Sequence, residues 1–323
     1  MTSRVEIITG ARLHFGILSH APSGGREFGG AGLMIDSPGF QLSVQSENCG
    51  SIEAGEPYRS RIVQILNRIR ASTPDVVFPR CRIRVSRSIP THAGFGSGTQ
   101  LGMAVSRALS MLTGDDEPDA VTLALRVGRG ARSAIGIHGF AQGGFLVDAG
   151  KANASEIAPL AGRIDFPCDW RILLAAPRDT AGLSGAEEEN AFARLPGMPA
   201  TTTQRLRRIA TEHLLPTVAA ADFANFSEAL YDFGQVVGNY FAPAQGGVFA
   251  NPLMYRLADE LRARGICGVG QSSWGPTLFA LVEDDDSANT LAAELASDDA
   301  WQACSFHVAA AMNHGAVARI DES

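Results

Sequence analysis

The chain reads as an α+β protein in two domains, and three observations predict it. Strands and helices alternate along the sequence, yet the strands are too few for a doubly wound parallel sheet. A glycine-rich loop at residues 90–100 lies between a strand and an apolar helix rather than after a first strand. The 323 residues, 45% hydrophobic and 19% charged, suffice for two ordinary cores at ~100–200 residues per domain. The polar stretch at 150–168 marks the boundary, which gives domains at 1–155 and 156–323.

Each element follows from local pattern. Val5 to Leu18 is expected as two short strands or one bent strand, with Gly10 and Gly16 as bend or bulge positions. A glycine-rich loop spans Ser23 to Gly32, followed by strands near Leu33–Ile35 and at Gln41–Gln45. From Tyr58 to Ala71, Ile62, Ile65, Leu66 and Ile69 recur at the i, i+3, i+4, i+7 spacing of an amphipathic helix. Arg82 to Ser86 alternates polar and apolar, the mark of a half-buried strand. Helices are expected from about Thr99 to Leu112 and around Asp119–Val127, and a strand at Phe140–Val147 closes the first half. Asp169–Ala176 opens the second half as a core strand stopped by Pro177. Helices follow at about 185–195, 202–214, 221–241 and 251–264, the last with Asn251 as cap and Pro252 at its first position. A strand at Thr277–Val282, a helix at Ala288–Ala296 and a strand at Ser305–Ala310 complete the chain.

Composition excludes several classes of function. The net charge of −7 argues against a nucleic-acid surface, which needs a basic face. No apolar run reaches the ~18–20 residues that span a bilayer, and the N-terminus lacks the apolar core of a signal peptide. A cytoplasmic protein with no membrane partner is expected. Cys49, Cys81, Cys168, Cys267 and Cys304 form no C-x-x-C pair, so neither a zinc site nor a disulfide framework is indicated. Lys151 is the only lysine, so cationic work falls to arginine, whose planar fork matches phosphate and carboxylate.

The most informative segment contains Gly94, Phe95, Gly96, Ser97, Gly98, Thr99 and Gln100. Glycines at alternate positions let the backbone approach a ligand closely. Ser97 or Thr99 is expected to cap the following helix, whose first N–H groups and dipole would face an anion. The spacing is neither a Walker A loop nor a dinucleotide fingerprint.

This loop resembles the second motif of the GHMP kinases, Pro-x-x-x-Gly-Leu-Gly-Ser-Ser-Ala, with Phe95 for Leu and Gly98-Thr99 for Ser-Ala. Thr9-Gly10-Ala11-Arg12-Leu13 through Gly16 resembles their N-terminal motif, and Gly268 to Pro276 their third. The resemblance implies a GHMP-kinase fold, with an N-terminal domain like domain 2 of ribosomal protein S5 and a ferredoxin-like C-terminal domain. It also departs from the kinases. Gly136 stands where many of them carry a catalytic Asp, and Arg12 occupies the region of an assisting lysine. Glycine cannot accept a proton, so the general-base route to a phosphorylated alcohol lacks its base.

A narrower resemblance accommodates these departures. Arg12 to Gly16, Gly128 to Ile137, Gly143 to Asp148 and Gly270-Gln271-Ser272-Ser273-Trp274-Gly275-Pro276 are similar to the beta-ribofuranosylaminobenzene 5'-phosphate synthases. That family joins phosphoribosyl pyrophosphate to 4-aminobenzoate with release of CO2 and pyrophosphate, in methanopterin biosynthesis. The resemblance implies Mg2+ as partner of the pyrophosphate, and a homodimer. The alternative it leaves open is an ATP-dependent kinase of a small alcohol or sugar. Residues 94–100 are then expected to hold phosphate oxygens. Arg12, His14, Arg129, Arg132 and His138 are candidates for carboxylate or phosphate binding, positioning and proton transfer. Gln271, Ser272 and Ser273 offer donors and Trp274 an aromatic face. Glu188, within Glu187–Glu189, is the candidate magnesium ligand, with Asp148 a similar case.

Overall fold

Two long antiparallel strands form the spine of the first sheet in the computed structural model, which describes residues 3–115, 118–179, 182 and 186–322, without the side chains of 186–189 and 322. Strand β1 (Ser3–Ser19) pairs with β2 (Phe28–Ser46) from Arg4↔Gln45 to Ser19↔Phe28. The bends expected at Gly10 and Gly16 are register shifts within one continuous strand, between Thr9 and Ala11 and between His14 and Gly16. The supposed loop after Ser23 ends at Phe28, because Gly30 and Gly32 pair in β2 where β1 passes too close for a side chain. A Cβ on Gly30 would lie 2.8 Å from the Gly16 carbonyl.

Strand β3 (Ser51–Glu53) runs parallel to β4 (Cys81–Arg87), which pairs with β2. Strand β5 (Phe145–Asp148) also pairs with β2 and carries β6 (Leu160–Ile164) on its far side. The C-terminal strand β11 (Val317–Glu322) returns to pair with β1. Helix α1 (Tyr58–Ser72) buries Ile62, Ile65 and Ile69 as the periodicity predicts. Helices α2 (Ser97–Thr113) and α4 (Ile135–Gln142) pack on β1 and β2, with α3 (Ala120–Arg126) between them in sequence. Phe140, expected in a strand, lies in α4. The glycines that weaken this helix as a pattern serve its packing, since a Cβ on Gly139 would meet the Met34 sulfur at 2.5 Å.

The second sheet has the order β10 (Cys304–Ala310), β7 (Arg171–Pro177), β9 (Leu278–Val282) and β8 (Val269–Gln271), antiparallel throughout. Helices α9 (Pro252–Ala263) and α10 (Asp285–Ser297) cover it. Asn251 caps α9 through its side chain, with Pro252 in the first turn as expected. Helix α5 spans Ala186–Arg194. The helix expected at 202–214 is α6 (Ala200–Arg208) continued by a π-helical turn at Ile209–Leu214 and α7 (Leu215–Ala219). Helix α8 (Phe223–Gln245) lies against β1, β8 and the π turn.

Because β6 and β11 join the first sheet, and Leu206, Phe226, Leu230 and Phe233 join its core, the packing seam does not follow the chain at residue 155. A smaller core lies between the second sheet and α9 and α10. The five cysteines are free thiols. No helix of the described residues is long and apolar enough to cross a membrane.

Candidate active site

Three segments distant in sequence are stapled together around the start of α2. Ser272 Oγ donates to the Gly94 carbonyl at 2.7 Å and accepts from the His14 N–H at 3.1 Å. The Ser273 N–H donates to the His14 carbonyl at 2.9 Å, with Ser273 itself held in the left-handed region at φ 57°. Contact is so close that a Cβ on Gly94 would fall 2.3 Å from the Ser272 carbonyl oxygen. Arg12 binds the same loop, its backbone N–H donating to Phe95 O and its Nη1 to Gly94 O, both at 3.1 Å. The expected side-chain cap is absent. Gly96, left-handed at φ 69°, is the N-cap of α2, and no side chain closes the helix end. The positive end of the α2 dipole therefore faces the adjoining cavity.

The second arginine-bearing segment, 128–134, is braced from behind. Asp148, fully buried, accepts through Oδ2 from Ser133 Oγ and the Ala134 N–H, each at 3.0 Å, and through Oδ1 from the Gly150 N–H at 3.0 Å. Burial raises its pKa, and these hydrogen bonds oppose the rise. Buried Lys151 spends all three ammonium protons on the carbonyls of Gly130 (3.1 Å), Ala131 (3.1 Å) and Ala154 (2.9 Å). Asp148 thus anchors the arginine segment rather than a cation.

Two cavities meet at this junction. One, of about 420 Å³, lies over the glycine loop between α1 and α2 and is lined by Arg12, Arg61, Arg68 and Arg129, with Ser97, Gly98 and Thr99. The other, of about 240 Å³, is lined by Arg12, His14, Arg132 and Gln271, and by the rings of Phe15, Phe192, Phe241 and Trp274. Arg12, Thr99, Arg129, Ser273 and Trp274 line both. Trp274 packs on Phe241 at 4.6 Å and Phe192 at 5.2 Å between centroids, and the Arg132 guanidinium lies 4.7 Å over Phe192. The result is a cavity walled on one side by a cluster of rings packed edge-to-face and on the other by guanidinium groups. Since a cavity of roughly 150 Å³ accommodates a benzene, the inner space of about 240 Å³ suits one substituted ring but not a ring with a phosphorylated sugar.

Electrostatics at the junction are set by the arginines. His14 is buried, and burial, then Arg12, then Arg132 hold its pKa well below the usual imidazole value. It is neutral at physiological pH, and its Nε2 is buried without a hydrogen-bond partner. Burial, then Arg68 and Arg61, lower the pKa of Arg129.

The structure sorts the residues singled out from the sequence. It brings together Gly94, Phe95, Gly96, Ser97, Gly98 and Thr99 on the loop cavity, Arg12 and Arg129 between the cavities, and His14, Arg132, Gln271, Ser273 and Trp274 at the aromatic one. Three positions are corrected. Gln100 is fully buried, its Oε1 accepting from Thr9 Oγ1 and its Nε2 donating to Gly136 O, both at 2.8 Å, so it ties β1 to α4. Ser272 is likewise fully buried as the staple between β1 and the loop. His138 donates through Nε2 to the Ala158 carbonyl at 2.8 Å and lines neither cavity. The Glu188 side chain lies outside the described residues. Among those described, no cluster of carboxylates, imidazoles or thiols suits a metal ion. Arg61, Arg68, Lys151, Phe192 and Phe241 were missed. The seven-residue spacing of Arg61 and Arg68 on α1 was the one signal in the sequence that could have found the first two.

Comparison with known proteins adds to this geometry. The family profile of the GHMP kinases N terminal domain matches residues 60–144, and that of the GHMP kinases C terminal matches residues 214–299. The chain is similar to the beta-ribofuranosylphenol 5'-phosphate synthase of Methanothermobacter thermautotrophicus, with 29% identity over 88% of this chain and 90% of that protein. It is similar to the protein of the same name from Archaeoglobus fulgidus, with 29% identity over 87% and 88%. Among solved structures, mevalonate-3-kinase from Thermoplasma acidophilum shares the fold, with a TM-score of 0.69, 13% identity and 99% of each chain covered.

Proposed function

The chain belongs to the GHMP kinase superfamily and, within it, to the beta-ribofuranosylphenol 5'-phosphate synthase family, and from this we propose that it condenses phosphoribosyl pyrophosphate with a 4-substituted benzoate, releasing CO2 and pyrophosphate. One observation carries the reading: a cationic cavity over a glycine loop opens, across Arg12, Arg129 and Trp274, onto an aromatic slot the size of a single ring. The relatives' product, a ribofuranosylphenol phosphate, is what a 4-hydroxybenzoate acceptor would give. A 4-aminobenzoate acceptor gives the aminobenzene counterpart. In both, the para heteroatom feeds electron density to the ring carbon that bears the carboxylate.

The chemistry follows from that placement. The C1–O bond of the ribose breaks, and the diphosphate leaves with the electron pair toward the guanidinium groups and the open end of α2. The carboxylate-bearing ring carbon supplies the electrons of the new C–C bond to C1. The bond from that carbon to the carboxylate then breaks, and its electrons restore the aromatic ring. No net oxidation occurs, and the anionic acceptor has no proton to lose before attack. A carboxylate base at position 136 is therefore unnecessary. Arg12 and Arg132 orient the acceptor's carboxylate, the rings of Phe192, Phe241 and Trp274 hold its faces, and neutral His14 lines the slot without adding charge.

Mg2+ enters this proposal as the counter-ion of the incoming diphosphate. The polar groups described at the loop cavity are four arginines, hydroxyls, backbone amides, Gln64 and His92 with no carboxylate, a set unsuited to holding a hard cation, and no step is derived through it. A homodimer and a place in methanopterin biosynthesis extend the proposal on the family resemblance. Purified protein given phosphoribosyl pyrophosphate, Mg2+ and either 4-hydroxybenzoate or 4-aminobenzoate should release CO2 and pyrophosphate in equal amounts with one of them. Turnover of ATP with an alcohol, and none with these substrates, would overturn the reading in favour of a kinase.

A further inference from the structure

The loop cavity holds more positive charge than a glycine loop and one arginine would supply. Arg61 and Arg68 stand two turns apart on α1 and both line it, with Gln64 between them on the same wall. Arg61 Nη2 donates to His92 Nε2 at 3.0 Å. Arg68 Nη1 donates to the Val127 carbonyl at 3.2 Å, two residues before Arg129. The Arg129 guanidinium lies over the first turn of α2, where a Cβ on Gly98 would meet its Nη2 at 2.7 Å. Its Nε is buried without a partner. No Asp or Glu lines this cavity among the described residues. Among the described residues Arg61, Arg68 and Arg129 form no ion pair, whereas Arg82, Arg126, Arg163 and Arg264 elsewhere on the protein each face a carboxylate.

We infer that Arg61, Arg68 and Arg129 form a cradle for the diphosphate end of the sugar substrate, fixing which end of that substrate faces α1. The inference rests on the synthase reading for the identity of the substrate, and it deepens that reading by giving the substrate a direction. A diphosphate carries more charge than a sugar monophosphate and presents more oxygens, which three guanidinium forks and the open α2 end can engage together. Burial first, and then the neighbouring Arg68 and Arg61, oppose the charge on Arg129, and a bound anion offsets all three. The ribose then lies across the opening between the cavities, with C1 toward the wall formed by Arg12, Thr99 and Trp274. Its 5'-phosphate is held outside the cradle.

The test is calorimetric titration of the full chain, as wild type, Arg61→Gln, Arg68→Gln and the double variant, with inorganic pyrophosphate and separately with ribose 5-phosphate. Each single variant should weaken pyrophosphate binding by about 10-fold, the loss of one charge-assisted hydrogen bond, and the double variant by about 100-fold. Affinity for ribose 5-phosphate should change less than about 2-fold, a residual screening effect. Thermal melts within a few degrees of wild type establish that each variant is folded. Unchanged pyrophosphate affinity in the double variant would overturn the cradle, as would an equal loss for ribose 5-phosphate. Failure of the synthase reading looks different. Arginine-dependent pyrophosphate binding without CO2 release from any benzoate keeps the cradle and removes the reaction. Turnover by the double variant at the wild-type KM removes the cradle and keeps the reaction.

Discussion

Replacing Lys151 by Met isolates the brace behind the arginine segment. Lys151 is 6% exposed, and its ammonium donates to the carbonyls of Gly130, Ala131 and Ala154 at 3.1, 3.1 and 2.9 Å. Met matches the stem in volume but leaves those oxygens without their donor. Three hydrogen bonds to a charged group contribute about 1.5–3 kcal/mol each. Removing the buried ammonium relieves a desolvation cost of several kcal/mol. The exposed Ala131 and Ala154 recover part of their hydrogen bonding from water. The net loss is about 2–4 kcal/mol, which for a chain of this size lowers Tm by roughly 3–6 °C. Because Gly130 and Ala131 separate Arg129 from Arg132, the slackened segment should also raise KM for phosphoribosyl pyrophosphate by about 10-fold, the loss of one well-placed charged contact. Differential scanning calorimetry and steady-state kinetics read both effects. A Tm within 2 °C of wild type together with an unchanged KM would refute the bracing argument, since the two consequences share one cause.

Three further outcomes follow from the same geometry. Gly98→Val would drive a side chain into the Arg129 Nη2 position, 2.7 Å from the added Cβ. Calorimetry should show about 10- to 100-fold weaker pyrophosphate binding, the range of one charged hydrogen bond, with little change in Tm. Trp274→Phe keeps an aromatic ring against Phe241 and Phe192 but shortens the shared wall. It should raise KM for the benzoate by about 3- to 10-fold, in line with an aromatic contact of ~0.5–1.5 kcal/mol, and move KM for the sugar substrate less. His14→Gln tests linkage. With the folded pKa of His14 held below its ordinary value of 6.5, the unfolded chain binds a proton there that the folded chain does not. The stability tied to this group is complete above about pH 6.5 and declines as the pH falls toward the folded pKa. Wild-type Tm should therefore drop more steeply between pH 7 and pH 5 than that of the variant, and parallel curves would show that His14 does not titrate as argued.

Local pattern made most elements legible and left their partners hidden. The apolar stripe of α1 and the Asn251–Pro252 start of α9 are encoded within a few residues, and the structure shows both. Helix α4 is not, because Gly136 and Gly139 lower helix propensity, and their value lies in the approach of Met34 from β2. Strands β6 and β11 exist as sheet members only through β5 and β1. The same limit governs the site. A motif gives residue types but not the direction of their hydrogen bonds, so Gln100 and Ser272 read as ligand donors although both amide ends of one and the hydroxyl of the other are committed within the fold. Arg61 and Arg68 stand off the apolar stripe of α1, and only the tertiary placement of that helix turns them toward the loop.

Gly136 and the surplus of arginine are two sides of one requirement. Gly136 stands in the first turn of α4, where an added Cβ would lie 3.5 Å from both Arg12 Cγ and Thr99 Cγ2, beside residues that line the two cavities. A kinase acting on an alcohol gains from a carboxylate at such a position, since it takes up the hydroxyl proton. A benzoate acceptor offers no such proton and arrives as an anion, so a carboxylate beside Arg12 would repel the acceptor and compete for the guanidinium. Glycine removes that competitor without moving the backbone of α4, whose Gly136 carbonyl still receives Gln100. With the base gone, the driving force must come from stabilising the departing diphosphate and from loss of CO2. A scaffold that already aims a helix N-terminus at phosphate needs only added guanidinium groups to supply the first. On the proposed reaction, the glycine at 136 and the guanidinium groups around the loop serve one end, an anionic acceptor meeting a sugar whose leaving group is also an anion.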